Sequence, residues 1–130
     1  DPSNLSLPVD VSPSRPTVEK EINDPASIYS WTKGLLALRA SVPALGNTGG
    51  WKYTSDPQCP YPAVYERFSD DGKYLVIINP RSKKASAEVS GYKKLEVVYG
   101  DPKALSVKKV SGGLSLRIKG VGSVICKVTE

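Results

Sequence analysis

The hydrophobic pattern changes its period near residue 50, and that change divides the chain. Before it, Ile28, Trp31, Thr32, Leu35, Leu38 and Val42 recur at three- and four-residue steps, the spacing of one helical face. Asp24 is suited to the N-cap and Pro25 to the first helical position. Pro43 cannot continue a helix, so a single helix is predicted over residues 24–42. Leu36 falls off the stripe, which suits a helix covered on more than one side. Residues 1–23 hold Pro2, Pro8, Pro13 and Pro16 and read as irregular. Leu5, Leu7, Val9 and Val11 are apolar at alternate positions, so this stretch is expected to lean on another surface.

After residue 50 the period is two. Short β-prone runs cover 63–68, 74–78, 85–89, 95–99, 105–110, 114–118 and 124–128. Between them stand the turn signals Asp71-Gly72, Asn79-Pro80, Ser90-Gly91, Gly100-Asp101-Pro102, Gly112-Gly113 and Gly120-Val121-Gly122. Leu114, Leu116 and Ile118 point one way, Ser115 and Arg117 the other. Tyr74 to Ile78 is nearly continuous apolar sequence, as expected of a central strand covered on both faces. Seven or eight such strands predict an antiparallel sandwich or barrel.

Length, 130 residues, fits one compact domain with some additional sequence. No apolar run exceeds five residues, far short of a membrane span. Asp1-Pro2-Ser3 shows neither a basic nor an apolar leader region. With no methionine anywhere, the chain is expected to be a processed or excised piece of a longer polypeptide. The net charge of +5 is lopsided: residues 51–130 carry fourteen basic and eight acidic side chains, residues 1–50 four and five. The lysines come one or two at a time, as in Lys83-Lys84, Lys93-Lys94 and Lys108-Lys109. That pattern suits solvated strand faces and turns; no arginine stripe or base-stacking motif accompanies it, so no nucleic-acid partner is expected.

The absence of histidine removes Ser-His-Asp and Cys-His chemistry, histidine bases and most zinc sites. Cys59 and Cys126 stand in no metal-ligand spacing, and neither metal nor cofactor is expected. They are a possible disulfide in an exported protein, or two free thiols; Cys126 alternates with Val124 and Val128 as on a buried strand face. Acid–base catalysis by paired carboxyl groups needs two of them held close together, one with a raised pKa. Glu66, Asp70, Asp71, Glu88, Glu96 and Asp101 sit on strand or turn positions. Asp70-Asp71 reads as turn chemistry, and Glu66 beside Arg67 as a surface ion pair of little weight. No catalytic residue is assigned. Trp51, Tyr53 and Tyr61 lie in a stretch rich in glycine and proline. Flat rings can stack on the C–H faces of sugars, so these are the candidate substrate-binding residues. The alternative is that they pack between the helix and the sheet.

Asp24-Pro25-Ala26-Ser27-Ile28-Tyr29, Leu35-Leu36-Ala37-Leu38-Arg39 and Val42-Pro43-Ala44-Leu45 resemble the end of α-amylase-family glycoside hydrolases. In that family the signature marks the last helix of the catalytic (β/α)8 barrel. Leu7-Pro8-Val9-Asp10 and Arg15-Pro16-Thr17-Val18 resemble the segment leading into it. Tyr65-Glu66-Arg67-Phe68 and Gly72 to Asn79 resemble the strand pair that opens the C-terminal sandwich, domain C. Two departures stand out: Gly34 lies mid-helix, at a cost of about 1 kcal/mol against alanine, and the closing turn is reduced to Lys119-Gly120-Val121-Gly122.

The resemblance implies a mainly β fold, an antiparallel Greek-key β-sandwich over residues 43–130, preceded by one α-helix within a barrel remnant, residues 1–42. It implies a longer enzyme that hydrolyses or transfers α-linked glucose units by double displacement. The family's catalytic carboxylates lie upstream of this segment, so none transfers to this chain. The expected role is structural, steadying the barrel, which is the expected partner. An auxiliary module for α-glucan oligosaccharides is the alternative. A basic nucleic-acid-binding β-barrel is a third reading, marked by steeply salt-dependent binding. Without the barrel, the apolar helix face is expected to fold back on the sheet or to self-associate. Location is left open, with export favoured for the longer protein.

Overall fold

The computed structural model describes residues 10–129; Leu5, Leu7 and Val9 of the alternating segment lie outside them. The chain divides into two compact units, Asp1–Leu36 and Ala37–Glu130. In the first, one short helical turn, α1 (Val18–Glu21), interrupts the stretch expected to be irregular. It forms because the Thr17 hydroxyl accepts from the Lys20 amide at 3.3 Å.

The main helix, α2 (Ile28–Ser41), begins four residues later than the sequence suggests. Asp24 spends its carboxylate on the Ala26 amide at 2.8 Å, forming a local turn. Ser27 takes over as the cap, accepting from the Ser30 amide at 3.1 Å, while Glu21 accepts from the Tyr29 amide at 3.2 Å. The helix spans the boundary between the units.

The second unit contains eight strands: β1 (Gly50–Tyr53), β2 (Ala63–Ser69), β3 (Gly72–Asn79), β4 (Ala85–Ser90), β5 (Lys94–Gly100), β6 (Leu105–Val110), β7 (Gly113–Ile118) and β8 (Gly122–Thr129). They form a five-stranded sheet, β1-β2-β3-β8-β5, and a three-stranded sheet, β4-β7-β6. Every pairing is antiparallel. The chain changes sheet after β3, β4, β5 and β7, the Greek-key wiring of a β-sandwich.

Alternation along the strands builds two cores. Val64, Leu75, Ile77, Val124 and Cys126 of the larger sheet meet Val89, Leu114, Leu116 and Ile118 of the smaller one. On the outer face of the larger sheet, Tyr74, Val76 and Ile125 pack with Ala44, and Leu38, Val42 and Leu45 join them from the end of α2 and the 3-10 turn after it. β3 is thus buried on both sides, as its apolar run predicts. The last turn of α2 packs as part of the sandwich unit, so the compact unit starts before residue 43.

Two polar side chains close the ends of this arrangement. Arg67 donates from Nε to the Ala44 carbonyl at 3.0 Å and from Nη2 to the Gly46 and Gly49 carbonyls at 2.5 and 3.2 Å. Asn79, 1% exposed, donates through Nδ2 to the Lys83 and Lys119 carbonyls, both at 2.9 Å, and accepts from the Arg81 amide. It ties the end of β3 to both loops beside it. Gly100 turns with φ +95°, and a Cβ there would sit 2.5 Å from the Ser123 carbonyl oxygen.

Removing the Asn79 amide leaves two carbonyls without their donor. Asn79→Ala is expected to cost about 2 kcal/mol, read as a lower urea midpoint at unchanged slope. Asn79→Asp should cost at least as much, because it sets a carboxylate against the same carbonyls. An unchanged midpoint in both variants would remove Asn79 from this role.

Candidate functional site

Of the carboxylates considered from sequence, Glu66 and Asp101 are engaged by the fold, and Glu88 and Glu96 are exposed on their strands. Glu66, buried on the inner face of β2, accepts from the Tyr92 hydroxyl at 2.7 Å. It does not pair with Arg67: neighbours on a strand point to opposite faces, and Arg67 is occupied with carbonyls on the other side. Burial and the adjacent Glu66 carboxylate push the Tyr92 phenol well above its ordinary pKa. Asp70 and Asp71 stand in the turn between β2 and β3. Asp101 accepts from the Lys103 amide at 2.9 Å, capping a 3-10 turn. Among the described residues, no group of three or more His, Cys, Asp or Glu side chains could hold a metal. No helix among them is long and apolar enough to cross a membrane.

Both cysteines are free thiols, so the bridge considered from sequence is not formed. Cys126 lies in the inner core, where alternation places it, and burial pushes its thiol up to about 12. Cys59 is exposed in the loop after β1, near the Tyr61 carbonyl.

The three candidate aromatics are separated by the structure. Trp51 and Tyr53 belong to a strand, β1, rather than to a loop. β1 is the edge of the larger sheet. Its register, Trp51 opposite Arg67 and Tyr53 opposite Tyr65, puts both rings on the outer face. The Trp51 ring centroid is 6.3 Å from that of Tyr53, with planes inclined by 30°, and 6.3 Å from that of Tyr65, inclined by 40°. Trp51 is 59% exposed and Tyr53 38%. Tyr61 is also exposed, but no ring contact joins it to them. It is held instead in a loop pinned by Ser55, whose hydroxyl donates to the Pro62 carbonyl at 2.9 Å. Tyr65 is the member that sequence reasoning missed. Its alternation with Val64 and Glu66 was the available signal, and only the pairing of β1 with β2 makes it Trp51's neighbour.

A second concave region surrounds the Gly91–Lys93 turn. One cavity of about 240 Å³ is bounded by Lys73, Tyr92, Val128 and Thr129, and an adjoining one of about 410 Å³ by Lys109, Val110 and Gly112. On α2, a shallow apolar groove of about 400 Å³ is lined by Ala26, Ile28, Trp31, Thr32 and Leu35.

No family model matches the chain, and no curated protein matches it. Solved structures do. The trehalulose synthase MutB from Pseudomonas mesoacidophila MX-45 is 28% identical, with a TM-score of 0.65 over 87% of this chain and 20% of its own. A mutant isomaltulose synthase from Erwinia rhapontici NX5 is 25% identical, with a TM-score of 0.68 over 86% of this chain and 20% of its own. An α-amylase from H. orenii shares the fold at 15% identity, with a TM-score of 0.67 over 87% of this chain and 22% of its own. The likeness to α-amylase-family enzymes read from the sequence is therefore present in three dimensions. The chain spans about a fifth of the length of these proteins, as a C-terminal domain would.

The two thiols give a direct check on this chemistry. One thiol per chain, Cys59, should react with a thiol reagent in the native protein, and both after unfolding. The raised Cys126 pKa sets the sign of an alkaline effect. From about pH 9 towards 12, the unfolded chain releases the thiol proton and the native chain keeps it. Native stability should therefore fall as pH rises through that window, and Tyr92 adds in the same direction. Cys126→Ala should flatten the slope in denaturant titrations across those pH values.

Proposed function

We propose that this chain is the non-catalytic C-terminal domain of an α-glucan-processing glycoside hydrolase of α-amylase or α-glucosidase type. Residues 43–130 are its sandwich and residues 1–42 the end of its catalytic barrel, which the domain stabilises. The observation that carries this reading is the cover of the larger sheet's outer face. It is supplied by Leu38 from the end of α2, and by Val42, Ala44 and Leu45 just after it. Arg67 then holds the following backbone at three carbonyls. The helix end is therefore packed as part of the sandwich, and an upstream barrel continuous with that helix would gain a folded anchor. Two of the chain's carboxylates fit the same conclusion, because Glu66 and Asp101 are engaged structurally. Double displacement on starch-like substrates would need a pair supplied from elsewhere.

The exposed side chains of α2 fit this assignment. Ile28 is 78% exposed, Leu36 57% and Leu35 41%, and a soluble helix gains nothing from leaving such a face in water. The barrel of the same polypeptide is the proposed cover. Self-association through that face is the competing reading for the chain in isolation, and sedimentation velocity at several concentrations separates the two.

Two measurements test the proposal. The 130-residue chain should release no glucose from maltose, sucrose, maltoheptaose or soluble starch, whereas the polypeptide carrying the upstream barrel should act on an α-glucoside. Leu35→Lys should lower the Tm of that longer protein by several degrees, as losing a buried apolar contact of about 2 kcal/mol would. It should leave the Tm of the 130-residue chain almost unchanged. Equal Tm values with and without the substitution in the longer protein would overturn the assignment of α2 to a barrel interface.

A further inference from the structure

Both inner faces of the sandwich end in a lysine at the Gly91–Lys93 turn. On β3, Lys73 alternates with Leu75 and Ile77, so it stands on the face that looks to the smaller sheet. On β6, Lys109 is opposite buried Leu114, on the face that looks back. The Gly91 amide donates to the Gly112 carbonyl at 2.9 Å, which fixes the two turns beside these lysines to each other. Lys73 lines the smaller of the two adjoining cavities, Lys109 the larger, and Lys93 borders both. Among the described residues, no aspartate or glutamate lines either one. The Glu66 carboxylate, which reaches Tyr92 of the cavity wall, is already engaged by that hydroxyl. The smaller cavity also meets Thr129, whose hydroxyl is buried with no hydrogen-bond partner among the described residues. A buried hydroxyl left unsatisfied calls for a partner, and beside three ammonium groups the partner that fits is an anion. Neither cavity is lined by α2 or by the outer-face core, so this region is separate from the face that the helix end covers.

We propose that this end of the sandwich binds a small phosphorylated ligand, with Lys73, Lys93 and Lys109 neutralising its charge and the Thr129 hydroxyl donating to one of its oxygens. Phosphate suits the group because one centre accepts from several donors at once. Two adjoining cavities that share Lys93 suit a ligand with two such centres, a diphosphate or a bisphosphate. The lysines converge on a recess instead of forming a stripe, which favours a compact anion over a nucleic acid. The inference does not rest on the function proposed above.

The test is a titration of the full 130-residue chain with sodium pyrophosphate at about 50 mM salt, followed by backbone amide NMR and by calorimetry. The Gly91, Lys93 and Gly112 amides should shift saturably with a Kd below about 1 mM, and inorganic phosphate should bind at least about tenfold more weakly. Lys93→Gln should weaken pyrophosphate binding about tenfold, and Lys73→Gln and Lys109→Gln about threefold each. Thr129→Val should weaken it about threefold without lowering the Tm, because it removes an unsatisfied buried group. Lys83→Gln with Lys84→Gln removes charge beyond Asn79, at the other end of β3, and should leave the Kd within about twofold. The amide spectrum of each variant reports its fold. No saturable shift up to about 10 mM pyrophosphate, unchanged binding by Lys93→Gln, or an equal loss from the Lys83→Gln and Lys84→Gln pair would each overturn the proposal. So would a short single-stranded oligonucleotide that shifts the same amides at lower concentration than pyrophosphate, which would mark a nucleic-acid interface instead.

Discussion

β3 is apolar on both sides, and a strand of that kind cannot be stable in a single layer. Leu75 and Ile77 need one cover and Tyr74 and Val76 another. The first is the three-stranded sheet, which brings Leu114, Leu116 and Ile118 against the inner face. The second is the end of α2 and the turn after it. The placement of the smaller sheet, the anchoring of the helix end and the central position of β3 beside β2 and β8 all follow from satisfying both faces at once.

Neighbouring residues on β2 show how strictly strand alternation assigns roles. Glu66 goes inward and is stabilised by one tyrosine hydroxyl. Arg67 goes outward and organises the backbone that leaves the helix. Charge would pair them; geometry keeps them apart, and each satisfies a different buried polar requirement. Of the chain's acidic groups, Glu66 and Asp101 are held by the fold, while Trp51 and Tyr53 sit exposed on an edge strand.

Helix and strands were not equally legible. The seven longer strands announce themselves through alternation and glycine-marked turns, and all seven form. β1 is only Gly-Trp-Lys-Tyr, too short for alternation to separate it from the loop sequence around it. The start of α2 was misplaced because two good caps, Asp24 and Ser27, lie three residues apart, and sequence alone does not rank them. Thr17 nucleates a further turn that proline content argued against. At the candidate site, Trp51 and Tyr53 stand out from composition alone. Their partner does not, because Tyr65 is twelve residues from Tyr53 and becomes its neighbour only through register.

The sequence by itself determined the period of each segment, hence a helix followed by an antiparallel sandwich or barrel, and it holds no histidine. Periodicity is local and survives without knowledge of contacts. Tertiary structure decided which faces meet: that Glu66 is buried and Arg67 is not its partner, that Cys126 and Cys59 remain separate thiols, and that the Trp51 ring lies near Tyr65, at a tilt, rather than near Tyr61. Those outcomes depend on strand order and register between distant residues, and a hydrophobic pattern carries no information about which strand lies next to which.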